Sequence, residues 1–236
     1  MRRFAIVAAF FLIGGVLDAQ QKKVNTMQQP VGQSRDQNAE ELLIHTLQSA
    51  LGPQGTAVRV YVHSACPVNK SKYMSFPDLD IQVPTKSETG LSAVRAIFRS
   101  DKNVEITQDR DGVIRIVIGD VFRSFLDTNL ASVRLDKTAQ YNPDGPGGAI
   151  ALVESESTIE KSMRESKVIQ IPEFYIGLRM PPLSGSRHLP PTINNVTVDG
   201  YLDLIVKTFP GVVIYSECMI DDSHMVDIRF DWFKSK

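Results

Sequence analysis

The order of secondary structure in residues 192–233 constrains the fold of this chain more than any other part of its sequence. The segment INNVTVDGYLDLIVKTFPGVVIYSEC, residues 193–218, predicts a strand, a helix capped by Thr197 or Asp199, and a second strand. Pro210-Gly211 ends the helix sharply, because proline cannot continue it. The next segment, HMVDIRFDWF, alternates between apolar and polar residues, as a half-buried strand does. The predicted order is therefore strand, helix, strand, strand.

The same order is predicted for residues 79–118. Thr85 and Glu88 form a capping box ahead of an apolar stripe at helical spacing, and Asp111-Gly112 suits a tight hairpin turn. The predicted elements are a strand at 79–83, a helix over 91–98, and strands at 103–108 and 113–118. We therefore predict an α+β fold of two small βαββ-like units, with helices packed on one face of mixed or antiparallel sheets. Whether the two units are a true duplication stays open.

The rest of the chain is organised around these two units. An amphipathic helix over 39–51 and an alternating strand, TAVRVYVH, precede the first unit. In that strand the valines form one face, and Arg59, Tyr61 and His63 form the other. The predicted segments are an N-terminal α+β unit at 38–140, a linking helix, edge strand and Pro-rich loop at 141–191, and a C-terminal βαββ unit at 192–236.

The N-terminus has the pattern of a secretory signal peptide. Arg2 and Arg3 precede an apolar run over 4–17, and Ala19 is a small residue at a plausible cleavage point. The run is shorter than the roughly 20 residues of a membrane-spanning helix. We expect a signal peptide at 1–19, a flexible leader at 20–37, and a periplasmic or secreted protein that does not insert into the membrane after cleavage.

Composition narrows the classes of partner. The chain is 42% hydrophobic, which indicates a globular protein and not a disordered one, and its formal net charge is −1. Acidic and basic residues are interspersed, so the sequence lacks the clustered positive charge that neutralises phosphates. Nucleic acid is therefore not an expected partner.

The cysteines and histidines suggest a structural role and no metal chemistry. Cys66 and Cys218 are the two cysteines, and in an oxidising compartment they are either bridged or two separate buried thiols. The four histidines are scattered and lack metal-ligand spacing, and no nucleophile motif is present. We expect no metal, no cofactor and no catalytic residue.

Residues 192–218 resemble a known family. The matching segments are NVTVD at 195–199, LDLI at 202–205, KT at 207–208 and VIY at 213–215. They are similar to the short N-terminal (STN-like) domain of secretins and TonB-dependent signal-transducing receptors. Gly200-Tyr201 stands where that family has Glu-Ala. We expect no barrel or secretin domain. The resemblance implies contact with periplasmic proteins, and does not imply pore formation or transport.

These observations lead to one favoured function. We expect an exported, non-enzymatic binding or assembly module of the cell envelope that engages a protein partner. The alternative is a small secreted hydrolase whose active site no motif reveals. A third interpretation is an inhibitor or immunity-like protein that would use the Pro-rich loop at 181–191. An exposed sheet edge or apolar patch would favour a binding module, whereas a deep pocket with converging titratable groups would favour an enzyme.

Overall fold

The computed structural model describes most of the chain after the predicted leader. The described residues are 36–52, 57–66, 74–135, 145–154, 159, 161, 163–164, 168–170 and 188–233. They belong to one compact unit, 35–236. The predicted signal peptide at 1–19 and the predicted leader, except its last two residues, lie outside the described residues. Most of the Pro-rich loop at 181–191 lies outside them as well.

The described part of the chain contains four helices and eight strands. The helices are α1 Asp36–Leu51, α2 Gly90–Ile97, α3 Pro146–Glu154 and α4 Val198–Thr208. The strands are β1 Val58–His63, β2 Val104–Gln108, β3 Ile114–Ile118, β4 Asn129–Arg134, β5 Val168–Gln170, β6 Thr192–Thr197, β7 Gly211–Ile220 and β8 Ser223–Trp232. The predicted α+β class is confirmed.

The strands form one mixed sheet and one small antiparallel sheet. The mixed sheet has the order β2-β3-β1-β7-β8-β5, and the second sheet pairs β4 with β6. β1 is parallel to both of its neighbours, β3 and β7. β2 with β3 and β7 with β8 are antiparallel hairpins. Asp111-Gly112 lies in the first hairpin turn, as predicted, and Gly112 has φ +87°, a conformation that favours glycine.

Both sheets combine strands from the N-terminal and the C-terminal segments. β1 and β3 come from the segment 38–140, and they lie beside β7 and β8 from the segment 192–236. Likewise β4, from the first segment, pairs with β6, from the last. The hairpins β2–β3 and β7–β8 of the two βαββ-like stretches therefore lie in one mixed sheet, on either side of β1.

Sharing one sheet places helices on both of its faces. On the first face, β1 side chains such as Val60 pack against Leu43 and Leu47 of α1 and against Val94 and Ile97 of α2. On the second face, a separate cluster joins side chains of β1, β7 and β8 to the buried stripe of α4. That stripe consists of Tyr201, Leu202, Ile205 and Val206. We predicted that helices would cover one face of the sheet in each of two separate units. In the structure one sheet is shared, and helices cover both of its faces.

Helix α4 begins and packs as its sequence predicts. The side chain of Thr197 accepts a hydrogen bond from the backbone N–H of Gly200 at 3.1 Å, which confirms Thr197 as the cap. At the other end Phe209 is 3% exposed, and its ring lies 6.4 Å from that of Phe230 and 5.9 Å from that of Trp232. The predicted contact between α4 and the apolar side of β8 is confirmed.

Two local predictions are wrong. Residues 79–83 form no strand, and instead the N–H of Gln82 donates to the carbonyl oxygen of Ile97 at 2.8 Å, which places this segment against the end of α2. The polar side of β8 was also expected to face solvent. Arg229 on that side instead forms ion pairs with Glu40 of α1 at 3.0 Å and with Asp227 at 2.8 Å. Because α1 covers this face, burial raises the pKa of Glu40 and of Asp227.

Candidate interaction site

Two polar clusters and one exposed apolar patch lie on or beside the sheet face that α4 covers. Their positions follow from the strand register. β1 and β7 are parallel and in register, so Tyr61 lies beside Tyr215, and His63 lies beside Glu217. Because side chains alternate between the faces of a strand, Arg59, Tyr61 and His63 all point to this one face. The alternation of TAVRVYVH predicted this side as the solvent-facing half of a strand, but Arg59 and Tyr61 are 0% and 1% exposed.

Arg59 lies at the centre of the first cluster, the arginine–aspartate cluster. Its Nη1 donates to the backbone oxygen and to the carboxylate of Asp199, both at 2.6 Å, and to the carboxylate of Asp203 at 3.0 Å. Two further arginines complete the cluster. Arg115 of β3 donates to Asp203, and Arg123 donates to Asp199 at 2.7 Å. The cluster therefore joins β1, β3 and the turn after β3 to the first two turns of α4.

The arginines around Asp199 stabilise the charged form of its carboxylate. Burial alone would raise the pKa of Asp199, but the charges of Arg59 and Arg123 and the hydrogen bonds from Arg123 and Tyr61 outweigh burial and lower it. Burial raises the pKa of Tyr61 well above its usual range, and its hydroxyl donates to Asp199 at 2.8 Å. A general acid or base must exchange a proton near the working pH. The lowered pKa keeps Asp199 charged and the raised pKa keeps Tyr61 neutral. The contacts of the cluster hold α4 on the sheet.

Glu217 organises the second cluster, at the end of β7. This residue is 1% exposed, and its carboxylate accepts hydrogen bonds from the Phe122 backbone N–H and, at 3.0 Å, from the Tyr215 hydroxyl. Burial raises its pKa despite these donors and the nearby imidazoles of His224 and His63. The Nδ1 of His63 lies 4.0 Å from the Glu217 carboxylate, which is beyond hydrogen-bond distance.

An apolar patch is exposed directly beyond Glu217. We call Phe122, Met219 and Ile220 the hairpin-end patch, and their exposed fractions are 41%, 42% and 39%. Met219 and Ile220 are the last residues of β7 before the turn into β8, and Met219 pairs with His224. The ring of Phe122 lies 4.7 Å from that of His224. Met219 lies on the same face of the hairpin as Glu217, and Ile220, the next residue, points to the opposite face. The three apolar side chains are thus exposed on both faces of one end of the hairpin.

A disulfide bond fixes the same end of the sheet. Cys218 of β7 is bonded to Cys66, and their Cα atoms are 5.3 Å apart. Cys66 follows β1, and the adjacent Ala65 pairs with Ser75 in an isolated bridge. Of the two alternatives that the sequence left open, bridged cysteines or separate thiols, the structure contains the bridge. The bond links the segment after β1 to β7, and Cys218 is one residue from Met219 and two residues from Ile220.

The described residues contain no other site of the kinds considered from sequence. Among them, no group of three or more His, Cys, Asp or Glu side chains could hold a metal ion. No described helix combines the length and the apolar character needed to cross a membrane. A shallow depression lies on α2, lined by Leu91, Arg95 and Arg99 among others, and none of its lining residues belongs to either polar cluster.

Neither polar cluster nor the hairpin-end patch was predicted as a site. Arg59, Asp199 and Glu217 are distant in sequence, and no short motif contains them. The nearest indication was the run VVIYSECMI in β7, whose apolar residues extend past the buried part of the strand. Comparison of the chain with protein-family models, with curated proteins and with solved structures found no match. The geometry described above is therefore the basis for a functional assignment.

Proposed function

We propose that this chain is an exported, non-enzymatic binding or assembly module of the cell envelope, and that it engages a protein partner through the hairpin-end patch. The observation that carries the proposal is the exposure of Phe122, Met219 and Ile220 around one end of the β7–β8 hairpin. Single exposed apolar residues are common on protein surfaces, whereas grouped ones mark interaction sites. The patch offers large apolar side chains, which dominate the energy of protein interfaces.

The surroundings of the patch suit it for binding. The disulfide bond restrains the end of the sheet, and the Phe122 backbone is fixed by its hydrogen bond to Glu217. A surface that is already ordered loses little conformational entropy when a partner binds. The acidic turn residues Asp221 and Asp222 adjoin the patch and give it a polar rim, as protein interfaces commonly have.

Three observations support export. The N-terminal sequence has the charged and apolar regions of a signal peptide. A disulfide between Cys66 and Cys218 persists in oxidising compartments and is rare in reducing ones. The resemblance of residues 192–218 to the STN-like domain fits a role in contacts between envelope proteins.

The hydrolase alternative would depend on His63 and Glu217. His63 is 39% exposed and has a buried carboxylate behind it, which is how a general base is oriented in many hydrolases. Two features favour the binding module instead. The carboxylate of Glu217 already accepts bonds from Phe122 and Tyr215, and its distance from His63 is 4.0 Å.

Site-specific photo-cross-linking tests the proposed interaction. A photoreactive benzoylphenylalanine is placed at Phe122 or at Met219 in the exported protein, in its native host. The control position is Val83, an isolated apolar residue that is 83% exposed. We expect the same discrete partner to be linked from Phe122 and Met219 and not from Val83. We expect Met219→Asp to abolish the adduct formed from Phe122 while the disulfide stays formed, because Met219 lies on the same face of the hairpin as Phe122 and a charge in an apolar interface is costly.

Two results would overturn the proposal. One is cross-linking that is equal at Val83 and at the patch, which would indicate non-specific contact. The other is a hydrolytic activity of the purified protein toward ester, peptide or glycoside substrates that His63→Ala abolishes. The second result would favour the hydrolase alternative, since it would assign His63 a catalytic role.

A further inference from the structure

β2 forms one edge of the mixed sheet, and its backbone hydrogen-bonding groups alternate in direction. Asn103 and Asp109 bond across to β3, through Gly119 N–H to Asn103 O at 3.1 Å and through Asp109 N–H to Val113 O at 3.1 Å. In an antiparallel ladder every second residue bonds to the neighbouring strand. The N–H and C=O groups of Val104, Ile106 and Gln108 therefore point away from β3. No strand in the described part of the chain pairs with this edge.

The edge strand has one exposed charged side chain, Glu105, and few other features that prevent strands from adding to one another. Its sequence, VEITQ, contains no lysine, arginine or proline. Val104 and Ile106 are only partly buried, and together with Leu91 they lie at the margin of the core under α2. This margin leaves apolar surface exposed beside unpaired backbone groups, which is a combination that favours pairing with a further strand.

We propose that two copies of this chain form a dimer through β2, with the strands antiparallel across a two-fold axis at Ile106. Outward-pointing groups must face each other, so Ile106 pairs with Ile106 of the second copy, and Val104 pairs with Gln108. In this register Glu105 faces Thr107 of the second copy. A shift by two residues toward Val104 would place Glu105 opposite Glu105, and like charges directly opposite each other are destabilising. The register centred on Ile106 is therefore the favoured one.

The surface of α2 is complementary to itself in the same arrangement. α2 packs on β2, so the two-fold axis that makes the strands antiparallel also makes the two α2 helices antiparallel. Glu88 precedes the N-terminus of α2, while Arg95 and Arg99 lie at its C-terminal end, and all three line the depression on this helix. Within one copy Arg99 already lies 3.5 Å from Glu88. In the dimer Glu88 of each copy faces the arginine end of the other, and Leu91 helps to fill the shared depression.

The oligomeric state of the full mature chain tests the proposal, and the Gln108→Pro and Gln108→Ala variants form a matched pair. Proline at an outward-facing edge position leaves the internal ladder intact but removes the N–H that bonds to the second copy. Alanine keeps that N–H, and both variants lose the Gln108 side-chain bond to Gly112. By sedimentation equilibrium we expect a dimer for the native chain and for Gln108→Ala. We expect the dissociation constant of the Gln108→Pro dimer to be at least about tenfold larger than that of either.

A second variant keeps the test independent of any effect of proline on folding. Arg95→Glu changes an exposed side chain and places a carboxylate opposite Glu88 of the second copy. We expect Arg95→Glu to weaken the dimer by a similar factor, and Glu88→Arg combined with Arg95→Glu to restore part of it. Circular dichroism would verify that each variant is folded.

The proposal does not depend on the hairpin-end patch, and the experiment separates the two. Met219→Asp should leave the dimer unchanged. A native chain that is monomeric up to roughly 100 μM, a concentration at which a dimer with a Kd of 1 μM would be largely formed, overturns the β2 dimer. So does a dimer that resists both Gln108→Pro and Arg95→Glu. A dimer that only Met219→Asp disrupts would instead be assembled through the hairpin-end patch.

Discussion

The Nη1 atom of Arg59 lies 2.6 Å from the carboxylate of Asp199, although 140 residues separate them in sequence. Arg59 is fully buried in β1, and Asp199 lies in the first turn of α4. The guanidinium also lies 4.5 Å from the centre of the Tyr61 ring. This pair therefore joins β1, a central strand from the N-terminal half of the chain, to α4, a helix of the C-terminal half.

Removing one member of the pair should destabilise the fold strongly. Asp199→Ala leaves the Arg59 charge buried with Asp203 as its remaining carboxylate, and breaking a buried ion pair typically costs about 3–5 kcal/mol of the free energy of unfolding. Urea denaturation measures the change. The control is Lys207→Ala, which breaks a pair with Asp111, 71% exposed, and should cost about 1 kcal/mol or less. Equal losses for the two variants would show that Arg59 does not depend on Asp199.

This pair also shows what the sequence could and could not predict. The alternation in β1 and the apolar stripe of α4 correctly predicted a strand and a helix, because both patterns are local. The burial of Arg59 was not predictable, since a polar residue on a half-buried strand normally faces solvent. Arg59 is buried because α4, from the C-terminal half of the chain, covers the face of β1 that carries it. That contact depends on the tertiary arrangement of both halves in one sheet, which no local sequence pattern encodes.

The disulfide bond should account for a large share of stability. Cys66 and Cys218 are separated by 152 residues, and closing a long loop reduces the entropy of the unfolded chain. We expect reduction to lower the free energy of unfolding by about 2–5 kcal/mol. Denaturation with and without reductant measures this. The control, Cys66→Ser combined with Cys218→Ser, should be as unstable as the reduced native chain and insensitive to reductant. A native chain unaffected by reductant would contradict the prediction.

The candidate site was predictable only in part. The number of cysteines and the signal peptide pattern identified Cys66 and Cys218 as a possible bridge, because both observations are compositional. The hairpin-end patch could not be derived in the same way. Phe122 belongs to the turn after β3, whereas Met219 and Ile220 belong to β7, and only the pairing of β7 with β8 and the bond from Phe122 to Glu217 bring them near one another.

Glu217 should make stability depend on pH. Burial raises its pKa in the folded state above the ordinary value of 4.5, so the folded chain binds more protons than the unfolded chain between 4.5 and the raised value. The contribution of Glu217 to the free energy of unfolding is therefore greatest below about pH 4.5 and decreases as the pH rises through the raised pKa. We expect the stability difference between the native chain and Glu217→Gln to decrease over this window.

Urea denaturation of the two chains at a series of pH values checks this expectation. Glutamine keeps an oxygen that can accept the Phe122 N–H, so the variant preserves this contact while removing the titrating carboxylate. A difference that is constant with pH, or that increases as the pH rises, would show that the Glu217 carboxylate is not destabilised by burial.

Phe209 tests the packing of α4 against the end of the β7–β8 hairpin opposite the patch. Its side chain is 3% exposed and contacts the rings of Phe230 and Trp232, so Phe209→Ala removes buried surface and leaves a cavity, at a cost of about 3–5 kcal/mol. Trp232→Ala is the matched control. Trp232 belongs to the same aromatic group but is 39% exposed, so its truncation loses less burial and can be filled by solvent. Urea denaturation should therefore show that Phe209→Ala is much less stable than Trp232→Ala. The reverse order would mean that Trp232, and not Phe209 at the end of α4, stabilises this end of the hairpin.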